Sequence, residues 1–175
     1  MARNYVTARL GKDEIDRAYP LVRAVLPDFS MERWERYVAT LGIAGINGAG
    51  AKGGAGPRRH PGGIMTVRNE DGYFYGLFCY QIDDDPLHGR VMRVETFVAL
   101  EFLDGEGAAG ALLDAMESIA VGEECRAIRA CLHEPAILRD TRPSRVMRAF
   151  AEHGFAAESL DMSKRLERVA SVVSL

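Results

Sequence analysis

The run Val94-Glu95-Thr96-Phe97-Val98, followed by Asp104-Gly105-Glu106-Gly107-Ala108-Ala109 and then by Leu112-Leu113, decides how this chain folds. Its first part is apolar except for one carboxylate and belongs to a strand predicted over 90–100. Gly105, Gly107 and Gly110 then turn the chain into a helix predicted over 105–121. Leu112, Leu113, Met116, Ile119 and Ala120 lie on one face of that helix, and Gly122 ends it. A buried strand is expected over 127–132. A helix-length connection between two strands implies a crossover, so 90–100 and 127–132 should pair in parallel.

Upstream, strands predicted over 63–68 and 73–82 are joined to each other and to 90–100 by Asn69-Glu70-Asp71-Gly72 and Asp83-Asp84-Asp85-Pro86. These short polar turns make an antiparallel meander. Further upstream, Val6, Ala8 and Leu10 alternate as in a half-buried strand. Ile15, Ala18, Tyr19, Val22, Val25 and Leu26 then recur at helical spacing, with Pro20 expected to kink or split the helix. Ser30 is a good N-cap for a second helix, whose stripe is Trp34, Tyr37, Val38 and Leu41. Downstream, Pro143 and Ser144 open a helix with Val146, Met147 and Phe150 inward. Gly154 sits where a left-handed C-cap is wanted, and 155–166 reads as a final strand.

Residues 42–63 hold nine of the eighteen glycines and are predicted to form a mobile loop. Gly48, Gly50 and Gly53 spell G-x-G-x-x-G, but Gly54, Gly56, Pro57 and Pro61 prevent the helix that a dinucleotide turn requires, so a lid or linker is the better reading.

The 175 residues, 47% hydrophobic and 27% charged, suit a single domain over 1–175. A net charge of -3 with interspersed signs offers no field for nucleic acid. No window is apolar enough for a membrane span or a secretory signal. Cys79, Cys125 and Cys131 form no C-x-x-C and read as reduced, mostly buried thiols of a cytoplasmic protein. His60, His88 and His133 are too scattered for a metal site. The apolar residues Val169, Val172, Val173 and Leu175 are candidates for an added strand or for the contact of a homodimer.

The element order and two motifs resemble the GNAT superfamily of N-acetyltransferases. The first motif is the opening run, in which Asp104-Gly105-Glu106-Gly107-Ala108-Ala109 is similar to the family's Q/R-x-x-G-x-G/A before a Leu-Leu helix. The second is Gly154-Phe155 followed by Met162-Ser163-Lys164-Arg165-Leu166. The resemblance spans most of the chain. It implies an α/β (α+β) fold with a mixed, mostly antiparallel sheet, a splayed parallel strand pair and about four flanking helices. It implies acetyl-CoA as co-substrate and, as acceptor, a primary amine of a small molecule or peptide. Phe97, Val98, Asp104, Gly105, Glu106, Gly107, Ala108, Ala109, Gly110 and Phe150 become the expected cofactor contacts. Backbone N–H groups at a helix N-terminus suit a pyrophosphate, which glycines let approach. A tight strand-to-helix connection is the plain alternative.

Glu95 resembles the family's general base. Read without the family, it is an outward carboxylate paired with Arg93 or Arg129. Phe29, Trp34, His133 and Glu134 are candidate acceptor contacts, set against core packing for the aromatics and a helix-entry turn for the other two. Asp104 stands where the family has Gln or Arg, Phe150 where it often has a tyrosine acid, and Pro143 near its common Asn. Those departures motivate a second expectation, a GNAT-like domain without turnover that serves as a CoA-responsive or partner-binding module.

Overall fold

The computed structural model describes residues 4–41, 62–100, 107–132 and 145–158. Five strands form one sheet in sequential order: β1 (Val6–Arg9), β2 (Gly62–Arg68), β3 (Phe74–Asp85), β4 (Gly89–Ala99) and β5 (Ala127–Ala130). The first four pair antiparallel and β4 with β5 in parallel, as the crossover requires. The crossover is α3 (Gly107–Gly122).

Two cores sandwich the sheet. Against one face, α1 (Ile15–Val25) and α2 (Met31–Thr40) bury Ala18, Val22, Trp34 and Val38 on Ile64, Leu77, Cys79 and Val98. Ser30 caps α2 by accepting the Arg33 N–H at 3.3 Å. Against the other face, α3 and α4 (Arg145–Glu152) bury Leu112, Leu113, Met116, Val146 and Phe150 on Phe78, Tyr80, Met92, Val94 and Phe97. Leu112, Leu113, Met116 and Trp34 are fully buried, each worth roughly 1.5–3 kcal/mol of apolar transfer.

Several boundaries differ from the sequence reading. Asp83, Asp84 and Asp85 belong to β3, and the turn is at 86–88, because Arg93 and Arg129 pair with Asp83 and Asp85 and make the strand's end tolerable for carboxylates. Pro20 neither splits nor ends α1, which runs from Ile15 to Val25 and forgoes one backbone donor. Gly62 and Gly63 lie in β2, where they pair with Gln81 and Tyr80; the remainder of the predicted loop, 42–61, lies outside the described residues. Residues 155–158 follow α4 without strand structure, and 159–166 lie outside the described residues with the C-terminal tail. Gly154 takes φ +80° after α4, the left-handed cap expected of it. The three cysteines are free, but Cys125 is only half-buried and Cys131 is exposed, since β5 ends before it.

Candidate active site

β4 changes character at Glu95. Up to Val94 it is bonded on both sides, with Val91, Met92, Arg93 and Val94 opposite Ala127, Ile128, Arg129 and Ala130 of β5. The Cys131 N–H donates the last of these bonds to the Val94 carbonyl at 2.9 Å. β5 then stops while β4 continues to Ala99, and among the described residues that stretch has a strand neighbour only on its β3 side.

The same point carries a β-bulge. Val94 opposes Tyr80 and Thr96 opposes Cys79, which leaves Glu95 as the extra residue of β4. Strict alternation would send Glu95 and Thr96 to opposite faces. Here both turn toward the α1/α2 side, Thr96 bonding the Cys79 thiol and Glu95 meeting α2, while Val94 and Phe97 pack on the α3/α4 side. The bulge thus holds an exposed carboxylate where two parallel strands part.

A cleft of about 1240 Å3 opens there. One wall is Phe29, Trp34 and Tyr37, with Tyr37 edge-on to Phe29 at 6.5 Å and tilted against Trp34 at 6.3 Å. The Tyr37 hydroxyl donates to Glu95 Oε2 at 3.1 Å. Burial, reinforced by the charge of Glu95 and the hydrogen bond to it, pushes the Tyr37 phenol far above its ordinary range, so it stays a neutral donor. Burial likewise keeps the Cys79 thiol protonated. The other wall is Met147, Phe150 and Phe155. The Phe150 ring stands edge-on between Phe97 and Phe155, 4.8 Å from each, and is buried. Arg93 and Arg129 also line the cleft, but Arg93 pairs with Asp83 at 3.4 Å and Arg129 with Asp85 at 2.8 Å, so neither is the Glu95 partner. Asp85 is held below the usual carboxylate range by the N–H groups of Leu87 and His88 and by Arg129.

No family model matches this sequence, and no curated protein does. Solved structures do match. A ribosomal-protein-alanine N-acetyltransferase from Brucella melitensis biovar Abortus 2308 aligns over 93% of this chain and 100% of its own, with a TM-score of 0.62 at 17% identity. An aminoglycoside N-acetyltransferase in complex with a CoA bisubstrate analogue covers 94% and 99%, with a TM-score of 0.65 at 15% identity. Glucosamine-6-phosphate N-acetyltransferase from Arabidopsis thaliana covers 94% and 99%, with a TM-score of 0.60 at 13% identity. The fold is the GNAT fold.

In that fold the expected site residues divide into groups. Glu95, Phe29, Trp34 and Phe150 line one cleft. Trp34 is fully buried and its Nε1–H donates to the Ile15 carbonyl at 3.0 Å, so the core reading holds for it although its ring reaches the wall. Phe97 and Val98 are buried on opposite faces of the sheet and support the bulge from below. Ala108 and Ala109 are buried in the first turn of α3, and Gly110 is half-buried with open space where a side chain would begin. A Cβ on Gly107 would come within 2.5 Å of the Tyr5 ring, so part of its need for glycine is packing against the N-terminal segment. Asp104, Gly105, Glu106, His133 and Glu134 lie outside the described residues.

The length of β4 that has no strand neighbour on its β5 side among the described residues fits an extended pantetheine arm, which can bond to main chain as an added strand does. The first N–H groups of α3 have no partner within the helix and fit a phosphate. Sequence reasoning did not select Tyr37. Its apolar stripe is common core patterning, and only its hydroxyl, unusual at the centre of such a stripe, was a signal. No helix of the described residues is long and apolar enough to cross a membrane, and among them no three His, Cys, Asp or Glu side chains could hold a metal ion.

Proposed function

We propose that this chain is an acetyl-CoA-dependent N-acetyltransferase acting on a primary amine of a small molecule or peptide, in the cytoplasm, as a single domain over 1–175. The observation that carries the reading is the Glu95 bulge at the point where β4 and β5 part, which sets a carboxylate beside main chain that no described strand pairs on that side. The solved structures of like fold include enzymes named for ribosomal protein, aminoglycoside and glucosamine-6-phosphate acceptors, which agrees with an amine acceptor and leaves its identity open.

When bound, acetyl-CoA supplies an acyl group activated as a thioester. The chain's part is to bind the arm along 95–99 and the phosphates at the α3 N-terminus, and to deprotonate the acceptor. Amines arrive as ammonium ions with no lone pair to attack. Glu95, exposed in the cleft, takes that proton directly or through a water molecule. Phe29, whose ring already carries the Arg33 guanidinium at 5.0 Å, and Tyr37 give the acceptor an aromatic surface to pack on. Phe150 has no proton to give, and a thiolate of pKa roughly 8.5 departs near neutral pH without one.

Thiol release from acetyl-CoA over a panel of primary amines tests the proposal. The expected result is release that depends on one class of amine and on Glu95. Acetyl-CoA binding with no release from any amine would instead favour the turnover-deficient module that Asp104 and Phe150 motivate.

A further inference from the structure

The carboxylate proposed as base is held by one particular neighbour. Among the described residues the single hydrogen bond of Glu95 comes from the Tyr37 hydroxyl, 3.1 Å away and fifty-eight residues distant in sequence. Both ends of this contact are fixed. Glu95 sits on a bulge whose flanking residues are pinned, Val94 by Cys131 and Thr96 by its place opposite Cys79. Tyr37 is wedged by Phe29 and by Trp34, which is itself anchored to the Ile15 carbonyl, and the Tyr37 carbonyl accepts the Thr40 hydroxyl at 2.6 Å. A ring so held can only aim its hydroxyl; it cannot follow a moving carboxylate.

Among the described residues no other charged or titratable group lining the cleft hydrogen-bonds Glu95. His88 pairs with Glu158 at 3.5 Å, His153 meets the Ala149 carbonyl and Asp114, and Glu117 and Arg126 line the cleft without bonding it. Cys79 of β3 is buried and stays a thiol. Arg93 of β4 is drawn to Asp83 and Arg129 of β5 to Asp85, and Cys131 is exposed at the cleft floor. α1 contributes Val22 and its C-cap Leu26 to the cleft, neither titratable.

Building on the base reading above, we propose that Tyr37 is a positioning residue for Glu95: its hydroxyl holds the carboxylate turned into the cleft, where it meets the acceptor's proton. A hydrogen bond to one carboxylate oxygen fixes the rotamer and leaves the other oxygen to receive the proton, so removing the donor frees the side chain to turn away. The phenol never competes for the proton, since it remains protonated throughout the working range.

Tyr37→Phe keeps the ring and deletes the donor. Turnover should fall about tenfold in Tyr37→Phe, with the KM for acetyl-CoA unchanged. In a Glu95→Gln background the same replacement should cost nothing further, because the group it positions is gone. Incorporating 3-fluorotyrosine at position 37 keeps both ring and donor and should restore turnover, which separates donation from packing. Turnover that ignores Tyr37→Phe, or that falls equally in the Glu95→Gln background, overturns the proposal. Full turnover in Glu95→Gln is a different failure: it removes the base reading on which the proposal rests.

Discussion

The two walls of the cleft are built from the same kind of residue to different ends. On the α2 side, Phe29, Trp34 and Tyr37 surround a polar tip, and the hydroxyl at that tip meets Glu95. On the α4 side, Phe97, Phe150 and Phe155 stack edge to face with no polar atom among them. An aromatic cluster with a hydroxyl at its rim can orient a neighbouring carboxylate; one without can only exclude water and fill volume. The α2 wall is therefore expected to govern proton chemistry and the α4 wall to govern stability and the shape of the slot.

Phe150→Ala breaks the apolar wall and should have the largest effect. Removing a buried ring flanked by two others is expected to cost about 3–5 kcal/mol of stability. Chemical denaturation would show it as a fall in the midpoint. A loss below about 1 kcal/mol would mean that Phe155 closes the gap and that the wall is not a packed unit.

Glu95→Gln acts on the other wall and should leave stability almost untouched, because the side chain is exposed. Turnover should fall by about 100-fold or more while acetyl-CoA affinity is kept. Equal losses in binding and in turnover would place Glu95 in cofactor binding and erase the functional contrast between the walls.

Within the α2 wall, Trp34 and Phe29 should separate. Trp34→Phe leaves the half-buried Ile15 carbonyl without its side-chain partner, at a cost of about 1 kcal/mol. Phe29→Ala touches a half-buried ring and should raise the KM for the acceptor with a smaller loss of stability. If Phe29→Ala leaves that KM unchanged, the acceptor lies elsewhere.

The asymmetry between the walls also explains what was legible in the sequence. Element order, the parallel pair and the α3 face follow from periodicity and from a crossover of helical length, both local properties. Glu95 stood out because a carboxylate in Val94-Glu95-Thr96-Phe97-Val98 has no place in a strand buried on both faces. The bulge that accommodates it was not readable, since an extra residue leaves no mark when valine, threonine and phenylalanine suit either face. Tyr37 was passed over for a related reason: helical spacing tells which residues share a stripe but not which strand the stripe meets. At Gly107 the resemblance pointed to phosphate approach, and the second constraint, contact with Tyr5 102 residues away, is invisible to any local pattern.

The smallest expected effect belongs to the rim of the α4 wall, where His153 is the titrating group. Its Nδ1 lies 2.9 Å from the Ala149 carbonyl at the end of α4, and its Nε2 lies 3.4 Å from Asp114 of α3. The Ala149 contact and then Asp114 raise its pKa above 6.5, and partial burial opposes them. A neutral ring can donate through one nitrogen only, so the bond to Asp114 needs the second proton. A pKa raised on folding means that the protonated form is favoured in the native state. The stability so gained is fully present below about pH 6.5 and is lost as pH rises through the folded value. Asp114 is largely exposed, which screens the pair and keeps the gain small. Melting temperatures of the native chain and of His153→Gln should therefore differ most near pH 5.5 and converge by pH 8.5, while the same substitution leaves turnover where it was. A difference that stays constant across that range would show that the Ala149 cap alone does the holding. A loss of turnover in His153→Gln would show that the α4 rim takes part in the proton chemistry, and the division of labour drawn between the walls would have to be given up.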